Sequence, residues 1–255
     1  MTYLLLGLTV LLFCLGLAGY RYEKQAAMHD FERLQPPGSR IRVGDYALYL
    51  LAMGERRSGQ PLVVLESGHG DWSRAWAKVQ PGIAEYARVV AYDRAGFGWS
   101  DLGLRPRTPL RIVTELHDLL EQAGERPPYL LVGHSMGGPF SRLFFSRYPQ
   151  EVLGMVWVDS AHEDLPRYMP FWKSAMVNFL LLIRLAALLS RLGLVRLIGR
   201  RLILASYPSV REPQAQAELV AQTTPPKFFD TLIDETRQMV QVKNWAEAPT
   251  RLGDL

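Results

Sequence analysis

The sequence predicts an α/β fold, with a mostly parallel sheet flanked by helices, an N-terminal transmembrane helix and a helical cap. Three observations predict it. Short apolar segments alternate with amphipathic segments between residues 39 and 162, which is typical of a parallel sheet covered on both faces. The run from Tyr3 to Tyr20 carries no charge. Residues 163–247 show a largely helical pattern without strand signals.

Residues 1–20 are expected to form a membrane anchor, followed by a linker over residues 21–38. The run from Tyr3 to Tyr20 rises about 27 Å as a helix, close to the thickness of a bilayer's hydrocarbon core. A cleaved signal peptide is the alternative. No Lys or Arg precedes the run and no small-x-small cleavage site is evident, which favours an uncleaved anchor. Arg21 and Lys24 follow the run and favour a cytoplasmic catalytic domain.

The elements of the domain at 39–162 follow from local patterns. Gly44-Asp45 predicts a turn between two short strands, and Thr108 and Pro109 predict the start of a helix that Gly124 ends. Apolar runs predict the later strands, and helices are expected between them. These strands are Leu62–Leu65, Val89–Tyr92, Tyr129–Val132 and Met155–Val158, and the helices are 76–86, 109–123 and 138–148.

The segment 163–247 is expected to form a helical cap over an active site. It contains six basic residues and no acidic ones between Phe171 and Ala205. A second membrane span is disfavoured, because Arg184 near its centre would cost about 2.5 kcal/mol or more. That the basic, apolar surface of the cap lies on a membrane is a hypothesis. Residues 248–255 are expected to approach a seventh strand, and the last two strands of such a sheet are expected to be missing.

Gly133-His134-Ser135-Met136-Gly137 lies between a predicted strand and a predicted helix. In that context a G-x-S-x-G sequence indicates a sharp turn that exposes the serine hydroxyl at the end of a sheet. The helix that follows presents free N–H groups, which suit a developing negative charge. Ser135 is therefore the candidate nucleophile.

With these residues the chain resembles the α/β-hydrolase superfamily, in particular the capped branch that includes lipases, esterases and proline iminopeptidases. The resemblance covers residues 40–162. Three further segments carry it: Leu65–Trp76, the Asp-Arg-x-Gly-x-Gly-x-Ser sequence within Tyr92–Ser100, and Val158–His162. Enzymes of this fold that open epoxides or remove halogens use an aspartate as nucleophile, so a serine implies acyl transfer to water.

The resemblance also implies an oxyanion hole. One N–H would come from Met136, after the nucleophile, and the other from the loop after the third strand. Two alignments of that loop are open, which make His69 or Asp71 the donor. We prefer His69, because an acidic side chain beside a developing oxyanion would oppose it. Asp93 is expected to fix its glycine-rich loop by hydrogen bonds.

The general base is the missing element. This fold normally supplies a histidine from a loop after the eighth strand, but no histidine follows His162. Asp159 ends a strand next to the nucleophile strand and is the candidate catalytic acid, with a structural role at the cap hinge as the alternative. His162 is a weaker candidate base. His134 is expected to be structural, and His29 and His117 to be solvated.

These inferences predict a membrane-anchored serine hydrolase of esters or related acyl compounds, in a form lacking the usual catalytic histidine. The alternative is an inactive membrane-tethered binding protein. A third hypothesis is that a partner chain completes the sheet beside its unpaired last strand. No metal or organic cofactor and no nucleic acid is implied, since phosphate loops, dinucleotide fingerprints and nucleic-acid-binding stripes are not found. Cys14 is the only cysteine, which excludes an intrachain disulfide.

Overall fold

The structure is a computed structural model that describes residues 2–162, 171–239 and 241. The chain divides into two compact units. The sheet unit consists of Pro37–Val177 and Thr231–Leu255, and the helical unit of Met1–Pro36 and Asn178–Asp230. The expected approach to a seventh strand, at residues 248–255, lies outside the described residues.

The sheet unit contains one sheet of six strands in the order β1-β2-β4-β3-β5-β6. The strands are β1 Ser39–Val43, β2 Tyr46–Met53, β3 Leu62–Glu66, β4 Val89–Asp93, β5 Tyr129–His134 and β6 Val152–Val158. The pairs β3–β4, β3–β5 and β5–β6 are parallel, whereas β1–β2 and β2–β4 are antiparallel. This sheet confirms the predicted fold class.

Within the described residues the helices are α1 Thr2–Arg33, α2 Gln80–Ala84, α3 Pro109–Gln122, α4 Gly137–Arg147, α5 Trp172–Arg191, α6 Leu194–Ser206, α7 Pro213–Thr223 and α8 Pro226–Met239. The start of α3 is as predicted, with the Thr108 hydroxyl accepting a hydrogen bond from the Arg111 N–H (3.2 Å). The helix predicted over 76–86 is wrong in extent. A 3-10 turn at Ser73–Trp76 is followed by the short α2, because Pro81 and Gly82 both weaken a helix interior.

Side chains of β3 alternate between two apolar clusters. Leu62 and Val64 pack into the cluster shared with α3 and α4, whereas Val63 and Leu65 pack with Trp76 on the opposite face. Successive side chains of a strand point to opposite faces, so this alternation covers the sheet on both sides. Because both faces are covered, β3 is a nearly continuous run of apolar residues.

The helix α1 is longer than the predicted anchor. It continues through Tyr20 to Arg33, so that most of the segment 21–38, expected as a linker, is helical. The physical reason is local: residues 21–33 contain several strong helix formers and neither Gly nor Pro. In the described part of the chain, two helices are long and apolar enough to cross a membrane, α1 and the Ser174–Arg191 part of α5.

Among the strands that the structure describes, β6 lies at one edge of the sheet. Four of its apolar side chains are more than 40% exposed: Leu153, Val156, Trp157 and Val158. An edge strand presents unpaired backbone groups on its outer side, so a further strand has a place to pair. The partner chain that would complete the sheet stays a prediction.

Candidate active site

Ser135 occupies a strained turn between β5 and α4. Its φ angle is 50°, in the left-handed region that L-residues rarely adopt. A Cβ on Gly133 would lie 2.5 Å from the Gly137 carbonyl oxygen, and one on Gly137 would lie 2.3 Å from the Glu66 carbonyl oxygen. Both glycines are therefore required by close backbone approach, and the turn has the geometry that the motif predicted.

The loop after β6 is bonded to this turn. The Ser135 N–H donates to the Val158 carbonyl oxygen (3.2 Å), and the Ala161 N–H donates to the Ser135 carbonyl oxygen (3.0 Å). Between them Asp159 is exposed and has a φ of 45°, a second left-handed residue. His162 follows directly and is also exposed. The structure thus brings the backbone of the Asp159 segment to Ser135.

The loop after β3 approaches Ser135 from another side. A Cβ on Gly68 would lie 3.2 Å from Ser135 Cβ, 3.1 Å from His134 Nδ1 and 3.3 Å from Asp71 Oδ2. Gly68 therefore fits closely between the nucleophile turn and the Asp71 carboxylate. His69 is the residue after Gly68, and Met136 is the residue after Ser135. The two expected oxyanion-hole residues therefore belong to two chain segments that contact each other at Gly68 and Ser135.

The backbone N–H of Asp71 forms a hydrogen bond within the loop after β3. That N–H donates to the Gly68 carbonyl oxygen (3.2 Å). Its carboxylate lies 4.0 Å from His134 Nδ1. Burial raises the pKa of the Asp71 carboxyl, while the charges of Arg94 and His134 act in the opposite direction. The structure therefore places an acidic side chain beside the nucleophile turn, which the sequence analysis considered only as an unfavourable alternative.

The ring of His69 contacts helix α8. His69 Nε2 lies 3.2 Å from the hydroxyl oxygen of Thr236, within hydrogen-bond distance. Burial lowers the pKa of His69, and the nearby Glu235 carboxylate opposes that shift. The sequence analysis assigned His69 a backbone role alone, and the packing of its ring on α8 is a separate contact that holds this loop.

A buried guanidinium holds the carbonyl groups of the same loop. Arg94, 2% exposed, donates to the carbonyl oxygens of Ser67 and Gly68 (2.7 Å each) and to Glu66 (2.8 Å). Its Nε lies 3.3 Å from Glu235 Oε1. Burial by itself lowers the pKa of Arg94, but the charges of Glu235 and Glu66 more than offset this and raise it. Arg94 therefore stays charged and fixes the loop beside Ser135.

The cluster of Arg94, Glu66 and Glu235 was not predicted from the sequence. The one available signal is Glu66, a carboxylate that ends an otherwise apolar strand. Asp93, by contrast, was predicted correctly as a loop-fixing residue. Its carboxylate accepts hydrogen bonds from the N–H groups of Ser73 (2.8 Å) and Trp99 (2.7 Å).

The histidines outside the turn have other environments. His29 is exposed on α1, as predicted. The prediction of a solvated His117 is wrong, because its ring is half-buried and stacks on Tyr148 with 4.0 Å between ring centroids. His117 Nε2 also lies 3.2 Å from Glu151 Oε1. Within the residues that the structure describes, no group of three or more His, Cys, Asp or Glu side chains could hold a metal ion.

Comparison with known proteins agrees with this architecture. The family model described as alpha/beta hydrolase fold matches residues 61–195. An AB hydrolase superfamily protein of Gibberella zeae is 37% identical over 122 residues, which are 46% of this chain and 38% of that protein. An uncharacterized vacuolar membrane protein of Saccharomyces cerevisiae is 31% identical over 110 residues, 42% of this chain and 17% of that protein.

Solved structures show the same fold. The epoxide hydrolase CorEH superposes with a TM-score of 0.61 at 21% identity, covering 80% of this chain and 75% of that one. At this identity the likeness shows the fold alone. The chain spans between 20% and 40% of the length of the first three curated relatives that it matches.

Proposed function

The chain belongs to the α/β-hydrolase fold family, and from this premise we propose that it is a membrane-anchored serine hydrolase of carboxylic esters or related acyl compounds. The observation that carries the proposal is the left-handed backbone of Ser135 at the end of β5, packed against Gly68. A serine held in a strained strand-to-helix turn, beside a second loop that can donate N–H groups, is the arrangement that acyl transfer requires.

In the proposed reaction, Ser135 Oγ attacks the acyl carbon while a general base takes its proton. The carbonyl oxygen becomes an oxyanion that accepts hydrogen bonds from the N–H groups of His69 and Met136. Expulsion of the alcohol, which receives the proton, leaves an acyl-serine. Water then attacks the acyl-serine, releases the acid and restores Ser135. The Asp71 N–H already donates to Gly68, which favours His69 as the donor from this loop.

Asp159 is proposed as the acid that orients the base. Its segment is bonded to the nucleophile turn through Val158 and Ala161, and its left-handed backbone marks a constrained position. His162 is the base to be tested first within this chain, since it alone among the histidines follows both Ser135 and Asp159.

The proposed anchor is α1. Its most apolar stretch is entirely unburied, whereas 17% of the corresponding stretch of α5 is buried. The similarity to a protein named as a vacuolar membrane protein supports a membrane location. The proposal therefore places residues 2–20 in the bilayer and the sheet unit in the cytoplasm.

The test is covalent labelling of the purified chain in detergent with a fluorophosphonate probe, which reacts with activated serines. We expect the wild type to be labelled and Ser135→Ala to lose labelling. Ser160→Ala is the matched control, because Ser160 is a nearby hydroxyl that donates to the Ala161 carbonyl oxygen (2.9 Å), and it should retain labelling.

Two results would contradict the proposal. Labelling that persists in Ser135→Ala would exclude Ser135 as the nucleophile. A folded wild-type chain that is not labelled would favour the inactive membrane-tethered binding protein. If the wild type is labelled, His162→Ala tests the base, and unchanged labelling would exclude His162.

A further inference from the structure

We propose that the helix–turn–helix of α5 and α6, residues 178–206 (the hairpin), inserts its exposed apolar side chains into an anionic phospholipid surface next to α1. The inference deepens the proposed function, since it rests on α1 as a membrane anchor. It concerns the helical unit alone. It assigns this unit a second membrane contact, made by residues far from α1 in sequence.

The α5 helix has two unlike faces within the helical unit. Ile183, Ala187 and Ser190 are each at most 5% exposed. Four leucines, each more than half exposed, lie elsewhere around the helix: Leu181, Leu182, Leu185 and Leu188. Helical spacing puts Leu181, Leu185 and Leu188 on one stripe. A helix with one packed face and one bare leucine face needs an apolar environment on the bare side.

The α6 helix extends the same kind of surface. Leu197, Ile198 and Leu202 are between 61% and 70% exposed, and Arg200 and Arg201 are exposed beside them. Arg184 is exposed on α5. Because no Asp or Glu occurs between Phe171 and Ala205, the charge on this surface is positive. Exposed leucines among arginines match an interface in which acyl chains lie below anionic headgroups.

The connection between α5 and α6 packs on α1 at the end of its apolar run. A Cβ on Gly16 would lie 3.8 Å from Leu192 Cδ2, and one on Gly19 would lie 2.3 Å from the Leu192 carbonyl oxygen. A Cβ on Gly193 would lie 2.8 Å from Tyr22 Cδ1. Gly16 and Gly19 belong to the uncharged run from Tyr3 to Tyr20. The tip of the hairpin therefore lies at the level where α1 leaves the proposed bilayer.

Ion pairs hold α6 against α1 just beyond the uncharged run of α1. Arg196 on α6 donates two hydrogen bonds to Glu23 of α1 (2.9 Å each), and it pairs with Asp30 about two turns further along α1. Glu23 is buried by this contact. Breaking such a buried pair leaves an uncompensated charge, which opposes separation of α6 from α1. The apolar hairpin is thus fixed beside the anchor.

Contacts of α5 within the helical unit, together with a charge in its apolar stretch, disfavour a position of α5 across the bilayer. At the end of α5, Arg191 Nη2 donates to both carboxylate oxygens of Asp230 (2.7 Å each). The Ser190 hydroxyl donates to the Thr224 carbonyl oxygen (2.6 Å). Arg184 lies in the middle of its apolar stretch, where a bilayer centre disfavours charge. A helix that lies in the interface keeps Arg184 among the headgroups and the leucines among the acyl chains.

The test measures membrane depth in the full-length chain reconstituted into vesicles of phosphatidylcholine and phosphatidylserine. Cys14, the only cysteine, reports directly on the anchor when it carries a fluorophore. In a Cys14→Ser background, Leu185→Cys and Ile198→Cys report on the hairpin. Lipids with spin labels on their acyl chains quench fluorophores that enter the hydrocarbon. We expect quenching at all three positions.

The charge contribution is tested by replacing Arg184, Arg200 and Arg201 with glutamine. Quenching at the hairpin positions should fall, and it should no longer differ between vesicles with and without phosphatidylserine. A matched control replaces three exposed cations of the sheet unit, Arg42, Arg57 and Lys78, with glutamine. This control changes the net charge equally and should leave hairpin quenching unchanged.

The pattern of quenching distinguishes failure of the hairpin inference from failure of the proposed α1 anchor. Quenching at Cys14 without quenching at the hairpin positions overturns the inference and keeps the anchor. Quenching at the hairpin positions without quenching at Cys14 overturns the anchor, and with it the inference, which rests on an inserted α1. No quenching at any position overturns both. Hairpin labels shielded from aqueous iodide and also from the spin-labelled lipids would show that a protein covers this surface, which likewise overturns the inference.

Discussion

Arg94 and Glu66 form an ion pair in the interior of the sheet unit, with 2.8 Å between Arg94 Nη1 and Glu66 Oε1. Glu66 ends β3 and Arg94 follows β4, so the pair joins the ends of two neighbouring parallel strands. Arg94 also binds the carbonyl groups of Ser67 and Gly68. The ion pair therefore positions the loop that lies against Ser135.

Replacing Arg94 with methionine should strongly destabilise the fold. It leaves the buried carboxylates of Glu66 and Glu235 without their cation, and breaking a buried pair in this way costs about 3–5 kcal/mol. Denaturant unfolding in detergent measures the change. Arg40→Gln is the control, because the Arg40–Asp101 ion pair is solvent-exposed and such pairs contribute about 0–1 kcal/mol. Equal effects of the two variants would show that the buried cluster is not important for stability.

Gly137→Ala should abolish fluorophosphonate labelling even where the chain still folds. The added Cβ would lie 2.3 Å from the Glu66 carbonyl oxygen, so the turn carrying Ser135 must move. Gly82→Ala is the matched substitution, since a Cβ there meets nothing within 4 Å. We expect Gly82→Ala to be labelled as the wild type is. Wild-type labelling of Gly137→Ala would mean that the close approach is not essential.

Asp159→Asn tests the proposed acid without disturbing its backbone, because asparagine tolerates the left-handed region. If the carboxylate orients the base, the labelling rate should fall by about a hundredfold or more, the contribution typical of acid–base catalysis. Asp159→Gly, which also removes the charge and suits φ 45°, should behave alike. A labelling rate that neither substitution changes would leave Asp159 with a structural role alone.

The lowered pKa of His69 predicts a pH-dependent stability. In the folded chain the pKa of His69 lies below its ordinary value of 6.5. Just below pH 6.5 the folded state therefore binds fewer protons than the unfolded state. Its contribution therefore favours folding as pH rises through this window and is lost as pH falls below 6.5. Unfolding free energies of wild type and His69→Gln between pH 5 and 8 test this. The variant should show a shallower dependence, and parallel curves would contradict the prediction.

Local patterns determined much of this protein. The hairpin at Gly44-Asp45, the buried strands, the capped start of α3 and the turn carrying Ser135 depend on neighbouring residues, and the sequence predicted each of them. The length of α1 was also encoded locally, by the helix formers beyond Tyr20, although the charges there were interpreted as the end of the helix.

Tertiary structure alone decided which charges meet. Glu235 lies 141 positions after Arg94, and Glu23 lies 173 positions before Arg196, yet both pairs are in contact. Periodicity shows which face of a helix is buried, but it carries no information about the side chain that will oppose a given charge. That depends on how distant elements pack. For the same reason the sequence indicated Ser135 as a candidate nucleophile and predicted its turn, whereas the guanidinium that fixes the neighbouring loop emerged only from the folded chain.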